Sequence, residues 1–191
     1  MSANESSDSL LDLLPLRPDD HVRGGENAEI TLVEFGDYEC PGCAEAYVAI
    51  KKIESDMGDN LRFVFRHFPY SRLHPHAELA AQAAEAAGAQ GKFWEMHDAL
   101  FENQEALELD DLIARAKKLD LDVEEFREAL KNETYLDRVR TDFRSGVQNG
   151  VFSTPGIFIN GIRHNGNADY ETLHEAIQNT LKELRSGKPV G

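Results

Sequence analysis

The two cysteines of this chain lie three residues apart, in the segment Cys40-Pro41-Gly42-Cys43. On the first turn of a helix this spacing brings the two sulfur atoms within bonding reach, and Cys40 lies among the unpaired N–H groups of the helix N-terminus. That environment stabilises a thiolate and lowers its pKa into a range of about 3.5–7.5. A disulfide that closes so short a loop restrains the unfolded chain little. The pair therefore predicts thiol–disulfide exchange, with Cys40 as nucleophile and Cys43 as resolving thiol.

Two other interpretations of the cysteine pair remain open. The cysteines could supply half of a zinc site that histidines complete, or they could be chemically inert. The seven histidines are scattered, however, and only His74 and His76 lie close together. A C-x-x-C segment beside a β-α-β pattern is typical of a redox motif, so we predict that the chain binds no metal.

A β-α-β unit must position the cysteines. Residues 29–35 form a near-continuous apolar, β-branched run that is typical of a strand covered on both faces. Pro41 suits the first position of a helix, where its missing N–H costs nothing. Residues 61–68 read as a second strand, which Pro69 ends. The pattern places the cysteine pair at the first strand-to-helix turn.

The middle of the chain is helical in pattern and the end returns to strands. We predict five helices between the β-α-β unit and the later strands, and the fifth helix is capped by Asn132. Asn160-Gly161 supplies the two positive φ values of a two-residue hairpin turn. A last amphipathic helix covers about residues 169–184.

One sheet assembled from both ends of the chain explains this order better than two independent domains. We predict an α/β protein in which a helical domain is inserted between a β-α-β half and a β-β-α half. The predicted parts are a flexible tail at 1–20, a core at 21–70 and 151–187, and the inserted domain at 71–150.

Charge and hydropathy restrict the partners. The chain has 35 acidic and 20 basic residues, a net charge of −15, which argues against nucleic acid or an anionic membrane as a partner. No apolar run approaches the roughly 18 residues of a membrane span. The N-terminal segment lacks the basic and apolar regions of a signal peptide. We expect a cytoplasmic protein, and a periplasmic one only if the native N-terminus differs.

Three segments together resemble one protein family. VEFGDYECPGC, QGKFWEMHDALFENQ and STPGIFINGIRHNG are similar to the DsbA-like branch of thioredoxin-fold disulfide oxidoreductases. In particular they resemble the cytoplasmic-type thioredoxin domains sometimes fused to sodium/proton antiporters, over about residues 20–185. The resemblance implies a thioredoxin-like core with a helical insertion and no cofactor beyond the cysteine pair. It also implies protein or peptide thiols and disulfides as substrates, with a reductase or glutathione as a possible redox partner.

The resemblance carries two further positions. Thr154-Pro155 matches the place where the family has a cis-proline beside the cysteines, whose backbone hydrogen-bonds an extended substrate segment. The alternative is a trans proline that starts an edge strand.

Glu34, six residues before Cys40, matches a buried acidic residue below the family's active site. Period-two geometry places it on the same face as Ile30 and Leu32, where burial would raise its pKa and let it accept the Cys43 proton. The alternative is a solvated or salt-bridged glutamate at a strand end.

The surroundings of the cysteines depart from the family in one respect. Strongly oxidising members carry a histidine between the cysteines, whereas Gly42 offers no charge. We therefore expect a less extreme thiolate and a more reducing couple. We also expect Asp37 and Glu39 to be solvated on the turn, where their charge opposes thiolate formation somewhat.

The sequence thus predicts a protein disulfide oxidoreductase. Two functions of other classes remain open. One is a peptide-binding or chaperone-like module with regulatory or idle cysteines, and the other is a glutathione-dependent transferase or peroxidase on the same fold.

Overall fold

The computed structural model describes residues 14–187, which form one five-stranded sheet and seven α-helices. The strands are β1 (His21–Gly24), β2 (Ile30–Gly36), β3 (Leu61–His67), β4 (Gly156–Ile159) and β5 (Ile162–Arg163). The helices are α1 (Pro41–Met57), α2 (Ala77–Ala89), α3 (Phe93–Phe101), α4 (Leu109–Lys118), α5 (Val123–Lys131), α6 (Leu136–Gln148) and α7 (Tyr170–Ser186), with a 3-10 turn at Gly58–Asn60. None of the helices in this part of the chain is both long and apolar enough to cross a bilayer.

The sheet has the strand order β1-β3-β2-β4-β5. The central strand β2 runs parallel to β3 and antiparallel to β4. Its apolar run is continuous because both faces are covered. Ile30 and Leu32 belong to the larger core, which includes residues of α1 and α7, whereas Val33 and Phe35 belong to a smaller core that Phe143 of α6 packs against.

The predicted order of elements is present: a β-α-β unit, helices α2 to α6, and then a hairpin followed by α7. Two details differ. The four-residue edge strand β1 was not predicted, because so short a segment has no clear period of its own. Asn132 follows the last residue of α5 instead of starting a helix, and α6 begins at Leu136.

The segment before β1 packs on the sheet. Leu14 is buried in the smaller core, and Asp20 accepts hydrogen bonds from the buried guanidinium of Arg66 at 2.7 and 2.8 Å. Residues 1–13 of the predicted tail lie outside the described residues. Residues 14–20, contrary to the prediction, belong to the packed structure, because Arg66 on β3 holds them.

Asp142 of α6 joins this segment to the rest of the molecule. Its carboxylate is fully buried, accepts hydrogen bonds from Arg17 and Arg138, and accepts the His67 N–H at 3.0 Å. A buried charge is stable only when it is paired and hydrogen-bonded in this way.

We therefore expect Asp142→Asn to lower the free energy of unfolding by about 2 kcal/mol, because two guanidinium groups each lose one of their carboxylate partners. Urea unfolding measures this change. The matched control is Asp137→Asn, an exposed aspartate on the same helix, for which we expect less than about 1 kcal/mol. Equal effects of the two substitutions would show that the buried network adds nothing.

Candidate active site

The two cysteines occupy the first turn of α1, as the spacing predicts. Cys40 is the N-cap residue in extended conformation, with φ −80° and ψ 123°, and Pro41 takes the first helical position. The N–H groups of Cys43 and Ala44 donate to the Cys40 carbonyl at 3.1 and 3.2 Å. Both cysteines are free thiols: Cys43 is fully buried, and Cys40 keeps 8% of its surface exposed. Cys40 is therefore the more accessible of the two cysteines.

The first turn separates the acidities of the two thiols. A hydrogen bond from the Cys43 thiol, aided by the Cys43 and Gly42 N–H groups and opposed by burial, lowers the pKa of Cys40 to about 5. Burial raises the pKa of Cys43 well above its ordinary value, and the hydrogen bond to Cys40 and the charge of Glu34 add to this. At neutral pH the pair therefore consists of one reactive thiolate and one protonated thiol.

Glu34 lies below this pair on β2, on the face that the sequence predicts. Its side chain is 1% exposed, and its Oε1 atom is buried without a hydrogen-bond partner among the described residues. Burial, together with the charge of Cys40, raises the pKa of Glu34 to about 8, although a hydrogen bond with Cys43 opposes this. The carboxyl group is therefore largely protonated at neutral pH and close enough to Cys43 to exchange a proton with it.

Thr154 and Pro155 approach the cysteines from the loop before β4. The Thr154–Pro155 peptide bond is cis, and the Cys40 thiol donates to the Thr154 carbonyl at 3.6 Å. A Cβ atom added at Gly42 would lie 3.4 Å from Pro155 Cδ, so the loop faces the dipeptide between the cysteines. Phe152, 76% exposed, is the next large side chain of the same loop. The loop thus offers a carbonyl beside Cys40 Sγ and carries an exposed apolar side chain two residues before Thr154.

Asp37 is buried, contrary to the prediction that it is solvated. Its side chain accepts hydrogen bonds from the Glu39 and Tyr70 N–H groups at 2.8 and 2.7 Å and from His74 Nδ1 at 2.8 Å. Its own N–H donates to Cys43 Sγ at 3.4 Å. The sequence pattern placed Asp37 on a turn correctly, but two of its three donors, Tyr70 and His74, come from a segment more than 30 residues away.

Gln104 is a second residue that the sequence analysis missed. Its Nε2 group donates to the carbonyl oxygens of Tyr38 and Cys40, both at 2.9 Å. The residue follows α3, so the helical insertion holds the turn that carries the nucleophile. No local signal marks such a residue, because a glutamine in a loop is ordinarily solvated.

One group of side chains in the described residues offers three possible metal ligands within 4.8 Å of one another: His21, His67 and Glu85. Both imidazole Nε2 atoms already contact the same carboxylate oxygen of Glu85, at 2.9 and 2.8 Å. The guanidinium of Arg138 lies 3.8 Å from that oxygen, and its positive charge opposes a cation there. Hydrogen bonding accounts for this cluster, and the absence of a metal site stays a prediction.

The chain is similar to known proteins in both sequence and structure. The family model described as Thioredoxin matches residues 17–179. A relative named Na(+)/H(+) antiporter NhaA 1 from Salinispora arenicola is 43% identical over 181 residues, 94% of this chain and 28% of the relative. Another, named Na(+)/H(+) antiporter NhaA, from Herminiimonas arsenicoxydans, is 40% identical over 90% of this chain and 27% of its own. The chain thus spans less than a third of these relatives, whose names conflict with the prediction that no membrane partner exists.

The solved structures share the whole architecture. Oxidised BdbD from Bacillus subtilis has 30% identity and a TM-score of 0.76, with 90% of this chain and 95% of that chain covered. A thioredoxin-like oxidoreductase from Silicibacter pomeroyi has 26% identity and a TM-score of 0.78, with 90% and 97% covered. Alpha-DsbA1 from Wolbachia pipientis, 21% identical with a TM-score of 0.77, shows the same fold over 94% of this chain and 100% of its own. The predicted thioredoxin-like fold of DsbA type, with its inserted helices, is confirmed.

Proposed function

The chain belongs to the thioredoxin family, and from this premise we propose that it is a protein thiol–disulfide oxidoreductase acting through Cys40 and Cys43. One observation carries the proposal. A thiol whose pKa is lowered to about 5 stands at a helix N-terminus, and the neighbouring buried thiol has its pKa raised. This difference in pKa between the two thiols suits a two-step thiol–disulfide exchange. The attacking sulfur must be ionised, whereas the resolving sulfur stays protonated until the second step.

In the first step the Cys40 thiolate attacks one sulfur of a substrate disulfide. The substrate S–S bond breaks, a mixed disulfide with Cys40 forms, and the second substrate sulfur leaves as a thiolate. The carbonyl of Thr154, 3.6 Å from Cys40 Sγ, can accept an N–H from an extended substrate segment, because the Cys40 thiolate has no proton to donate to it. This supports a substrate that is a peptide chain.

In the second step Cys43 attacks Cys40 Sγ and releases the reduced substrate. Cys43 must lose its proton first, and Glu34 is the acceptor we propose. Formation of the mixed disulfide removes the negative charge of Cys40, which is one of the causes that raise the pKa of Glu34. Glu34 therefore ionises more readily at the stage when Cys43 has to give up its proton.

Protein or peptide thiols and disulfides are the proposed substrates, and glutathione or a reductase is the proposed redox partner. The net charge of −15 favours partners with basic surfaces. The names of the relatives suggest that a chain of this kind works covalently joined to a membrane antiporter. We propose that this domain then lies on the cytoplasmic side of the membrane. No metal or organic cofactor enters the two steps.

Equilibration with glutathione buffers tests the proposal. We expect a reduction potential between the roughly −120 mV of DsbA and the roughly −270 mV of thioredoxin. The reason is that a Cys40 pKa of about 5 lies between those of the two proteins, about 3.5 and about 7. The same protein should catalyse reduction or oxidation of a peptide disulfide, and Cys40→Ser should abolish that catalysis.

Peptide binding without exchange is the alternative that the same experiment separates. A double variant, Cys40→Ser with Cys43→Ser, would then retain full activity in preventing aggregation of an unfolded client. Failure of the wild-type chain to exchange with glutathione or any peptide disulfide would overturn the proposed oxidoreductase function.

A further inference from the structure

The segment between β3 and α2 brings two histidines to the turn that precedes Cys40. His74 Nδ1 donates to Asp37 Oδ2 at 2.8 Å, and His76 Nδ1 donates to Glu39 Oε1 at 2.9 Å. The His74 side chain is 19% exposed, whereas that of His76 is 40% exposed. Each histidine therefore faces one carboxylate of the turn, and His74 faces the buried one.

Asp37 connects His74 to both cysteines, to the backbone of Cys40 and to the sulfur of Cys43. The Cys40 N–H donates to the Asp37 carbonyl at 3.1 Å, and the Asp37 N–H donates to Cys43 Sγ at 3.4 Å. A change at the Asp37–His74 contact is thus transmitted to the backbone that presents the two thiols. His74 is separated from the backbone of the nucleophile by one residue, Asp37, and two hydrogen bonds.

Most titratable groups around Cys40 are acidic, so a positive charge nearby would stabilise its thiolate. Glu34 from β2, Asp37 and Glu39 from the turn, and the thiolate of Cys40 are all acidic, and Cys43 adds a further titratable group. Against these stand the imidazoles of His74 and His76 from the segment before α2. Burial opposes protonation of His74, but the hydrogen bond and charge of Asp37 and the charges of Cys40 and Glu39 raise its pKa overall.

We propose that His74, held by Asp37, supplies the positive charge that stabilises the Cys40 thiolate. It is a positioning residue, because it acts through Asp37 and does not touch the reacting sulfur. The dipeptide Pro41-Gly42 carries no charged side chain. The positive charge is therefore supplied by His74, from the segment between β3 and α2. The effect on the Cys40 thiolate stands by itself, and only its redox consequence rests on the proposed function.

The redox step then has a defined proton balance. When two glutathione molecules reduce the Cys40–Cys43 disulfide, the S–S bond breaks, two electrons enter the protein, and glutathione disulfide forms. Of the two protons that the glutathione thiols release, one goes to Cys43. The other goes to His74, and Cys40 stays a thiolate beside the imidazolium.

The test is the pH dependence of alkylation of Cys40 by iodoacetamide in the reduced chain, with the label located by mass spectrometry. The wild-type profile should have its midpoint near pH 5, following the Cys40 thiolate. In His74→Gln the midpoint should move upward, so that alkylation at pH 5 is about threefold slower. At pH 8, where the thiolate is fully formed in both proteins, the rates should agree.

Two further variants separate charge from structure. His74→Lys, which keeps a positive charge, should retain a midpoint near that of the wild type. His76→Gln is the matched control, because it removes a histidine of the same segment that faces Glu39 instead of Asp37, and its midpoint should shift less than that of His74→Gln. A His74→Gln profile that coincides with the wild type, or one lowered equally at every pH, would overturn the inference.

The readout also separates this inference from the proposed function. Alkylation requires no disulfide exchange, so the predicted shift can occur in a chain that exchanges with no substrate. Conversely, the wild-type chain could exchange disulfides normally while His74→Gln leaves the alkylation midpoint unchanged. That result would support the proposed function and overturn the role of His74.

Discussion

Cys43→Ser is expected to convert the protein from a catalyst of exchange into a trap for its substrates. Cys40 would still attack a substrate disulfide, but the intramolecular attack that releases the mixed disulfide would be lost. Only thiols from solution could then release the adduct. Because a neighbouring group acts at a high effective concentration, we expect the adduct to last roughly a thousandfold longer or more.

Incubation with a peptide disulfide, followed by acid quenching and mass spectrometry, measures the adduct. The double variant with Cys40→Ser is the matched control, because it keeps the fold and the second substitution but lacks the nucleophile. An adduct no more abundant in Cys43→Ser than in this control would contradict the assignment of Cys40 as nucleophile. Turnover that continues in Cys43→Ser would contradict the role of Cys43.

Glu34→Gln is expected to slow resolution of the mixed disulfide and to stabilise the fold at the same time. Removal of the proton acceptor should slow the second step by about a hundredfold, the lower end of the range for proton-transfer catalysis. Stopped-flow measurement with a labelled peptide disulfide resolves that step from the first one. The amide has nearly the shape of the carboxyl group, so attack by Cys40 should keep its rate within a few-fold.

The stability effect of Glu34→Gln follows from the raised pKa of Glu34. The pKa is about 8 in the folded chain and near 4.5 in the unfolded one, so the unfolded chain loses its proton first. The protonated carboxyl group contributes fully to stability below pH 4.5, and its contribution is lost as the pH rises through 8. The wild type should therefore lose about 1.4 kcal/mol per pH unit relative to Glu34→Gln over that range.

Urea unfolding of the two proteins at pH 5 and pH 7.5 measures this difference. Glu39→Gln is the control, because its carboxylate is only partly buried and accepts hydrogen bonds from the N–H and Nδ1 of His76. A gap between wild type and Glu34→Gln that stays constant with pH would contradict the buried, protonated state of Glu34. If Glu34→Gln resolves the mixed disulfide at the wild-type rate, Glu34 is not the proton acceptor and has only a structural role.

The relation between sequence and structure is clearest at the turn before α1. The cysteine spacing, the proline behind Cys40 and the apolar run of β2 are properties of neighbouring residues, and each predicts its element directly. The fate of Asp37 is different. A turn aspartate is ordinarily solvated, and here it is buried because donors from residues 70 and 74 satisfy its carboxylate.

The missed strand β1 and the wrong prediction for residues 14–20 have the same cause. β1 exists because it pairs with β3, from His21 opposite Phe65 to Gly24 opposite Arg62, and four residues by themselves carry no period. Residues 14–20 read as an acidic tail, yet Asp20 pairs with the buried Arg66. Neither contact can be seen in a pattern of neighbours, because the partners lie more than 35 residues apart.

The sequence by itself indicated the candidate residues for the chemistry and determined where the chain turns. The cysteine pair and the Asn160-Gly161 hairpin, with φ of 48° and 81°, follow from local spacing and backbone preference, whereas the acidic residue on the preceding strand was indicated by the family resemblance. Only the tertiary structure decided what surrounds the reactive sulfur: Asp37, His74, Gln104 and the Thr154 carbonyl meet there from four separate segments. The physical reason is that spacing along the chain sets local geometry, whereas burial and charge depend on segments that only the packed fold brings together.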